Sequence, residues 1–450
     1  MIFSKVFQNK KILILGLGIT GLNLYKALKK SSANVYVWDD NIKIKNIKNI
    51  NLNKFKFKNL DFCVPSPGIS TKGKEAHLII KILKKNKIKI ISELDLFQIY
   101  LNSQNNYNNG NIKIIAVTGT NGKSTVVSII DHVLDRLKIN RSLVGNIGKS
   151  IFESIILKNG YYIIEVSSYQ LETTSLFKPN FSILTNVSKD HLDRHKTMQE
   201  YIRQKFNIFK KQSLKDTAIV SVDYSGTQKF IKKLLTKDKL NVIKISGKNK
   251  NSIYYYDDYS IYKNKKILFK PSNYSLRGNH NFENITHVVA LLESQGNLNT
   301  TSLRAINDFS GLPHRQEVVR KIKKTLFIND SKATNIESSV PALKSFKNIY
   351  WICGGITKSK DMRVAIPYLK NVKKILIIGL EKKIFFDAFQ DVAEIVYVKN
   401  MNSAVQISYL NAKKDNQHAS IILSPAAASF DQYKNFETRG NAFKRIVSNL

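Results

Sequence analysis

The stretch AVTGTNGKSTVVSII, from Ala116 to Ile130, joins an apolar run to a helical pattern through a turn rich in glycine and hydroxyl side chains. The preceding KIIAV is short and β-branched, which predicts a buried strand, and apolar residues recur at helical spacing after the turn. Such a turn aims backbone N–H groups and the positive end of a helix dipole at one point. Lys123 adds charge there, and Ser124 or Thr125 supplies a hydroxyl for Mg²⁺. We therefore predict a binding site for a nucleoside triphosphate.

The general phosphate-loop pattern requires a glycine where this chain has Val117, so the identity of the enzyme has to come from other segments. At 450 residues, 43% of them hydrophobic, the chain is long enough for roughly three domains of about 100–200 residues. Its two cysteines, Cys63 and Cys353, lie far apart without histidines at metal-ligand spacing, which argues against a disulfide framework or a zinc site.

The N-terminal segment runs directly into a strand, without the pattern of a signal peptide, and no stretch approaches a membrane span. We therefore expect a cytoplasmic protein without a membrane span. The formal charge of +39 raises nucleic acid as a partner. The lysines are scattered through segments rich in Asn and Ile, such as NIKIKNIKNINLNKFKFKNL, so we expect a solvated basic surface and no specific nucleic acid. NSQNNYNNGN, residues 102–111, is predicted to be a flexible connection.

The first of three α/β blocks opens with KILILGLGITGLNLYKAL, a strand and a helix joined by Gly16, Gly18 and Gly21 in GxGxxG spacing. VYVWDD then ends a second strand with Asp39 and Asp40, where a dinucleotide fold places a ribose-binding carboxylate. The pattern is consistent with NAD, with another nucleotide diphosphate, or with a tight turn alone. CVPSPGIS adds a second glycine turn after a strand.

The second block continues from the phosphate strand through strands at YYIIEVSS and FSILTNVS, each ending in polar residues. Ligands gather at the carboxyl ends of parallel strands. Glu165, Asn186, Asp190 and His191 are therefore expected to face the same crevice as Lys123. Glu165 is the natural carboxylate ligand for Mg²⁺.

The third block, from about Leu312, has strands at TLFIND, NIYWICGG, KILIIGL and SIILSPAAASF, separated by helical patterns and followed by polar clusters. We therefore predict an α/β protein of three domains. They are an N-terminal Rossmann-like domain over residues 1–94, a central phosphate-loop domain with a parallel sheet over 95–311, and a C-terminal Rossmann-like domain over 312–450.

Eight motifs spread over the chain occur in the order and spacing of one known family: GLGITG, TGTNGKST, EVSSYQLE, TNVSKDHLDRH, LRGNHNFEN, GLPHR, NDSKATN and LSPAAASFDQYKNFETRG. By these motifs the chain resembles the Mur ligases of peptidoglycan synthesis, and among them the enzymes that add D-glutamate. The resemblance implies an ATP-dependent amide-forming ligase that works through an acyl phosphate. The first block would bind the UDP of UDP-N-acetylmuramoyl-L-alanine, the second ATP, and the third D-glutamate. It also accounts for the altered phosphate loop.

The resemblance implies a role for each residue that matches a family motif. Those implied near the UDP substrate are Ile19, Thr20, Asp39, Asp40, Ser66 and Gly68. Those implied for ATP are the loop Gly119, Thr120, Asn121, Gly122, Lys123, Ser124 and Thr125, the adenine contacts Asn281 and Asn284, and the ribose contacts Arg315 and Asp330. Those implied for D-glutamate are Thr334, Lys358, Ser429 and Phe436, with Lys360 as an alternative to Lys358.

The residues implied for catalysis are Lys123, Asn146, His191, Lys205 and Lys332. Two Mg²⁺ ions are implied, with ligands Ser124, Glu165, His191 and Lys205, the last as a carbamate formed with CO₂. We expect a monomer.

Three other functions were considered, and each requires different features in the sequence. A sister Mur ligase that adds another amino acid would share TGTNGKST but carry other motifs in the third block. An NAD-dependent oxidoreductase is supported by GLGITG and an acidic residue alone, and leaves the phosphate loop unexplained. A nucleic-acid-binding protein requires clustered basic residues with interleaved aromatics, whereas the lysines here are scattered.

Overall fold

Apolar runs alternate with amphipathic helices along the chain and form three separate sheets, which confirms the predicted α/β class. The computed structural model describes residues 5–41, 46–73, 75–146, 148–236, 240–272, 276, 278–357 and 361–450. The chain divides into two compact units. One comprises Met1–Pro271 with His280–Asn307, and the other Ser272–Asn279 with Asp308–Leu450. The first unit contains two of the sheets, and the boundary predicted near residue 94 stays a prediction.

The first sheet has four parallel strands in the order β2-β1-β3-β4. Its strands are β1 (Lys11–Leu15), β2 (Asn34–Trp38), β3 (Phe62–Pro65) and β4 (Lys89–Ile90), and the helices in and after it are α1 (Ile19–Lys30), α2 (Leu78–Lys85), α3 (Glu93–Asn102) and α4 (Asn105–Asn108). The segment 102–111, which its composition predicted to be a flexible connection, contains the short helix α4. Gln98 holds this segment in place. Its side-chain amide donates hydrogen bonds to Asn102 Oδ1 at 2.8 Å and to the Tyr107 hydroxyl at 3.0 Å.

The second sheet has nine strands in the order β13-β12-β11-β10-β9-β8-β5-β7-β6. Its strands are β5 (Ile112–Thr118), β6 (Arg141–Gly145), β7 (Gly160–Glu165), β8 (Phe181–Leu184), β9 (Thr217–Ser221), β10 (Asn241–Ser246), β11 (Tyr254–Tyr256), β12 (Ile261–Lys263) and β13 (Lys266–Phe269). The helices that belong to this part of the chain are α5 (Lys123–Arg136), α6 (Ser168–Glu172), α7 (Leu192–His195), α8 (Met198–Phe206), α9 (Gln228–Thr236), α10 (Asn279–Ser294) and α11 (Thr300–Asn307). Strands β5 to β11 pair in parallel, and β12 and β13 add an antiparallel edge.

The third sheet has six strands in the order β14-β15-β19-β16-β17-β18, parallel except for the pair β14-β15. Its strands are β14 (Glu317–Ile322), β15 (Thr325–Asn329), β16 (Ile349–Cys353), β17 (Val372–Ile377), β18 (Ile395–Tyr397) and β19 (Ala419–Leu423), and its helices are α12 (Ile336–Ser345), α13 (Lys382–Phe389), α14 (Met401–Asp415) and α15 (Phe436–Ser448). Alternate side chains of β16 pack into separate apolar clusters, Trp351 and Cys353 in one and Tyr350 and Ile352 in the other. The sheet is therefore buried on both faces, as a parallel sheet requires.

Helices that could cross a membrane are absent from the part of the chain that the structure describes, because none there is both long and apolar enough. Both cysteines are buried and free.

Candidate active site

The turn between β5 and α5 adopts a shape that needs glycine at two positions. Gly119 has a φ of +150° and Gly122 a left-handed φ of +81°. A Cβ on Gly119 would lie 1.9 Å from Thr185 Oγ1, and a Cβ on Gly122 would lie 2.1 Å from Asn284 Oδ1. Side chains at these positions would therefore clash with residues distant in sequence, which explains the two glycines of TGTNGKST.

The Lys123 side chain folds back over this turn. Its ammonium donates hydrogen bonds to the carbonyl of Gly119 at 2.9 Å and to that of Thr120 at 2.8 Å. Helix α5 begins at Lys123 with no acidic residue in its first turn, where N–H groups have no carbonyl partner within the helix. Ser124 and Thr125 lie in that turn, half-buried. A lysine, a helix N-terminus and a glycine turn thus converge on one place, which suits a polyphosphate.

The segment after β8 holds the turn in place. Asn186 Oδ1 accepts a hydrogen bond from the Asn121 backbone N–H at 2.9 Å, and Asn186 Nδ2 donates to the Asn121 carbonyl at 3.2 Å. The Thr185 hydroxyl donates to the same carbonyl at 2.6 Å. The Thr120 hydroxyl lies 3.1 Å from the Tyr201 hydroxyl and accepts from the Ser188 N–H at 3.0 Å. Strand ends predicted to share one crevice are thereby brought together.

Glu165, at the carboxyl end of β7, carries an unsatisfied oxygen. Asn146 Nδ2 donates to Glu165 Oε1 at 3.0 Å, whereas the buried Oε2 has no hydrogen-bond partner among the described residues. A buried carboxylate oxygen without a partner is costly unless a ligand completes it. Carboxylate and hydroxyl oxygens are ligands that Mg²⁺ prefers, so Glu165 and Ser124 fit the implied metal.

Lys205 is buried, with only 2% of its surface exposed. Its ammonium donates a hydrogen bond to the Gly119 carbonyl at 2.7 Å and lies 4.5 Å from the centre of the Tyr201 ring, one turn earlier on α8. Burial, reinforced by the positive charge of Lys123, lowers the pKa of Lys205 well below its usual value. The Lys205 side chain thus contacts the phosphate turn, and its implied role as a carbamate stays a prediction.

His191 lies at the start of α7 with a left-handed φ of 52°. The Tyr169 hydroxyl lies 3.0 Å from its Nδ1, and Asp190 Oδ2 lies 3.3 Å from its Nε2. Across the described ranges, no three His, Cys, Asp or Glu side chains group closely enough to hold a metal ion. The described His, Cys, Asp and Glu side chains thus do not form a second metal site by themselves.

Both residues implied for adenine lie on α10, where Asn284 Nδ2 donates to Asn281 Oδ1 at 3.2 Å. Asn284 Oδ1 is buried without a hydrogen-bond partner among the described residues and adjoins Gly122. An amide oxygen in this position suits an amino group of a nucleotide base.

The first glycine turn is braced by its own neighbours. The Leu17 N–H donates to Asp39 Oδ2 at 2.6 Å, and the Ser66 hydroxyl donates to the Gly16 carbonyl at 2.8 Å. A Cβ on Gly21 would lie 2.0 Å from the Gly16 carbonyl oxygen, so the close strand–helix packing requires glycine. Asp39 and Ser66 therefore shape this turn.

The remaining residues implied for the UDP substrate lie around the same turn. Ile19 is 85% exposed at the start of α1, and Thr20 beside it is half-buried. Asp40 accepts a hydrogen bond from the Trp38 indole at 2.8 Å and lies 3.2 Å from His77 Nε2. Hydrogen bonds from Trp38 and His77 lower the pKa of Asp40. The Gly68 carbonyl accepts from Arg194 Nη1 at 3.1 Å.

In the other unit, Asp330 follows β15 and is buried. It accepts hydrogen bonds from the Ser424 hydroxyl at 2.7 Å and from the Gln316 N–H at 3.2 Å. Burial raises the pKa of Asp330 to about 7, against those hydrogen bonds and the charge of Arg315. Arg315 itself is exposed.

Three of the residues implied for D-glutamate lie in described segments. Thr334 is in NDSKATN, Ser429 follows β19, and Phe436 begins α15. The Lys332 ammonium lies 5.0 Å from the centre of the Phe436 ring. Thr334 is half-buried and Ser429 is buried. Lys358 and its alternative Lys360 lie outside the described residues.

Sequence reasoning missed Arg439 and Glu283, although both lie inside quoted motifs. The buried Arg439 guanidinium donates to the Ser331 hydroxyl at 3.0 Å, the Ser331 carbonyl at 2.9 Å and the Ala427 carbonyl at 3.0 Å. It thereby links the DSKATN and SPAAAS segments. Each is a charged residue at a buried position of a helix, α10 for Glu283 and α15 for Arg439, and the helical pattern was the signal that could have found it.

Comparison with solved structures supports the fold. The UDP-N-acetylmuramate-alanine ligase of Thermotoga maritima aligns with 98% of this chain and all of its own, at a TM-score of 0.60 and 16% identity. A MurF ligase from Thermotoga maritima, solved in complex with ADP, aligns with 100% of this chain and 97% of its own, at a TM-score of 0.61 and 13% identity.

Comparison of sequences identifies the family. Residues 117–292 match the family model of the Mur ligase middle domain. A UDP-N-acetylmuramoylalanine--D-glutamate ligase of Rickettsia bellii is 33% identical over 99% of each chain. The enzyme of the same name from Caulobacter vibrioides is 31% identical over 100% of this chain and 98% of its own. With such similarity over its full length, this chain belongs to the UDP-N-acetylmuramoylalanine--D-glutamate ligase family of the Mur ligases.

Proposed function

We propose that this protein joins D-glutamate to UDP-N-acetylmuramoyl-L-alanine, using ATP and releasing ADP and phosphate, in cytoplasmic synthesis of peptidoglycan precursors. The observation that carries the proposal is the phosphate turn, in which Gly119, Gly122 and Lys123 form an anion-binding cradle within a chain similar throughout to ligases of that name. The protein would act as a monomer.

Forming an amide from a carboxylate in water requires activation, because the carboxylate oxygen is a poor leaving group. The L-alanine carboxylate would attack the γ-phosphorus of ATP, which gives an acyl phosphate and ADP. The D-glutamate amine would then attack the carbonyl carbon, lose a proton, and displace inorganic phosphate. Lys123 and Lys332 would neutralise developing negative charge, and each such contact is worth about 3 kcal/mol. Asn146, fixed by Glu165, would lie beside the transferred phosphoryl group.

Bound Mg²⁺ would supply further positive charge for phosphoryl transfer. We propose Ser124 and Glu165 as ligands of one ion, and His191 with a carbamate on Lys205 as ligands of a second. The carbamate forms when an uncharged lysine nitrogen attacks the carbon of CO₂ and loses a proton. The lowered pKa of Lys205 favours that uncharged form, and the product replaces a repelling ammonium with oxygen ligands.

Substrate recognition follows the family resemblance. We propose that Ile19, Thr20, Asp39, Asp40, Ser66 and Gly68 line the site of the UDP substrate. For D-glutamate we propose Thr334, Lys358, Ser429 and Phe436. Asn281 and Asn284 would contact adenine, and Arg315 and Asp330 the ribose.

The test is phosphate release measured with ATP, UDP-N-acetylmuramoyl-L-alanine and a panel of amino acids. We expect release only when D-glutamate and the UDP substrate are both present. Release with L-alanine or a diamino acid but not with D-glutamate would assign the protein to a sister reaction. Omitting the UDP substrate is the control for uncoupled ATP hydrolysis.

A further inference from the structure

Arg194 is a largely buried arginine to which the family resemblance assigns no role. It lies on α7, three residues after His191, and 13% of its side chain is exposed. Burying a charge is costly unless the charge is paired and hydrogen-bonded. The partners of this guanidinium group therefore indicate its use.

Three nitrogens of the Arg194 guanidinium donate hydrogen bonds. Nε donates to Glu172 Oε2 at 3.1 Å, and the Glu172 side chain is 4% exposed. Nη1 donates to the Gly68 carbonyl at 3.1 Å, and Nη2 donates to the Ile69 carbonyl at 2.6 Å. The guanidinium also lies 5.5 Å from the centre of the Tyr169 ring. Arg194 thus connects α6 and α7 with the turn after β3, which lies 126 residues earlier in the sequence.

The turn at residues 66–71 carries Ser66 and Gly68, both implied for the UDP substrate. Its first residue is anchored to the first glycine turn, because the Ser66 hydroxyl donates to a backbone carbonyl there at 2.8 Å. In the middle of the turn, a Cβ on Gly68 would meet no atom within 4 Å. Glycine also permits many backbone conformations, so neither side-chain packing nor backbone preference fixes this part of the turn. The two hydrogen bonds from Arg194 supply that constraint.

Glu172 determines which property of Arg194 matters. Its Oε2 pairs with the guanidinium, and its Oε1 accepts a hydrogen bond from the Thr71 hydroxyl at the end of the same turn, at 2.6 Å. The positive charge of Arg194 is therefore balanced by a carboxylate within the protein. The planar fork of the guanidinium remains, and a lysine ammonium cannot reproduce its fixed donor directions.

We propose that Arg194 is a positioning residue for the site of the UDP substrate, and that it fixes the 66–71 turn in the conformation in which Ser66 and Gly68 meet that substrate. The proposal rests on the proposed function, because it requires this turn to bind UDP-N-acetylmuramoyl-L-alanine. It assigns Arg194 no contact with the substrate and no part in phosphoryl transfer.

The test compares Arg194→Lys with Arg141→Lys, a matched change at an arginine that pairs with Asp131 and Asp135 on α5 instead. We expect Arg194→Lys to raise both the Kd and the KM for UDP-N-acetylmuramoyl-L-alanine about tenfold, the effect of losing roughly one charged hydrogen bond. Arg141→Lys should leave both constants unchanged. In Arg194→Lys the KM for ATP, and kcat at saturating UDP substrate, should stay at the values of the unmodified protein. Calorimetry gives the Kd, and phosphate release gives the kinetic constants.

A lower melting temperature of Arg194→Lys with unchanged affinity for the UDP substrate would show a purely structural ion pair and overturn the proposal. An equal loss of ATP affinity, or a loss confined to kcat, would also overturn it. Should Arg194→Lys fold poorly, Thr71→Val removes the hydrogen bond from the turn to Glu172 at nearly constant volume. It should likewise weaken binding of the UDP substrate but not of ATP, and unchanged binding would count against the proposal. Absence of UDP-substrate binding by the unmodified protein would instead contradict the proposed function.

Discussion

At the scale of single residues, burial changes what a side chain can do. The segment EYIRQKFNIFK places Lys205 among polar neighbours, where a lysine is ordinarily a solvated charge. In the structure it is buried against the Gly119 carbonyl and the Tyr201 ring. Desolvation and the charge of Lys123 lower the pKa of Lys205, which favours the uncharged amine that the proposed carbamate requires.

Replacing Lys205 with alanine should lower turnover by about 10²–10³-fold, the effect of losing one electrostatic group at a reacting centre. Acetate should restore part of the activity, because a small carboxylate can occupy the place of the carbamate. The measurement is phosphate release with and without acetate, and Lys211→Ala is the control for an exposed lysine a few residues away. Rescue by methylamine but not by acetate would show that the free amine is the working form.

At the scale of elements, the short helix α8 holds the Lys205 side chain against the phosphate turn. Helix α8 has nine residues and presents Tyr201 and Lys205 one turn apart on its buried side. Its N-cap is Thr197, whose hydroxyl accepts a hydrogen bond from the Glu200 N–H at 3.2 Å. A helix of this length depends on its cap, because few internal hydrogen bonds hold its first turn.

We expect Thr197→Ala to cost about 1 kcal/mol of stability and to lower turnover severalfold by loosening the helix that carries Lys205. Asn400→Ala removes a comparable cap, the side chain that accepts from the Ser403 N–H at 3.0 Å at the start of α14. Both variants should lose similar stability in denaturant titrations, and only Thr197→Ala should lose activity. Equal activity in the two would contradict a positioning role for α8.

At the scale of the whole molecule, the most unusual property is charge, with 72 basic and 33 acidic side chains. The basic residues are scattered along the sequence, so we expect any binding to duplex DNA to be non-specific. Affinity should then fall about 10³–10⁵-fold between 50 and 200 mM salt if it rests on phosphate contacts alone. Fluorescence anisotropy with two unrelated duplexes at both salt concentrations checks this. Tight binding at the higher salt, or preference for one duplex, would show a dedicated nucleic-acid surface.

Local sequence patterns were enough to predict the parallel strands of the three sheets and the phosphate turn, but not the antiparallel edges of the second and third sheets. A strand followed by glycines and a helical repeat is encoded within about fifteen residues, and its geometry depends on backbone preferences of those residues. The strand ends at Glu165 and Asn186 were predictable for the same reason, because parallel strands place their carboxyl ends on one edge. The family motifs extended these predictions to substrates, and the full-length relatives confirmed the family.

Only the tertiary structure decided what these residues contact. Gly122 has to be glycine because Asn284, far along the chain, occupies the space of its Cβ. Lys205 lost its contact with solvent through packing against the Gly119 carbonyl, a contact between segments that no local pattern joins. The residues 102–111 became partly helical through Gln98 and Tyr107 despite a composition typical of loops. Backbone preferences depend on residues that are close in sequence. The burial of a side chain, its steric clashes and its pKa depend on residues that are close in space, and folding decides which residues those are.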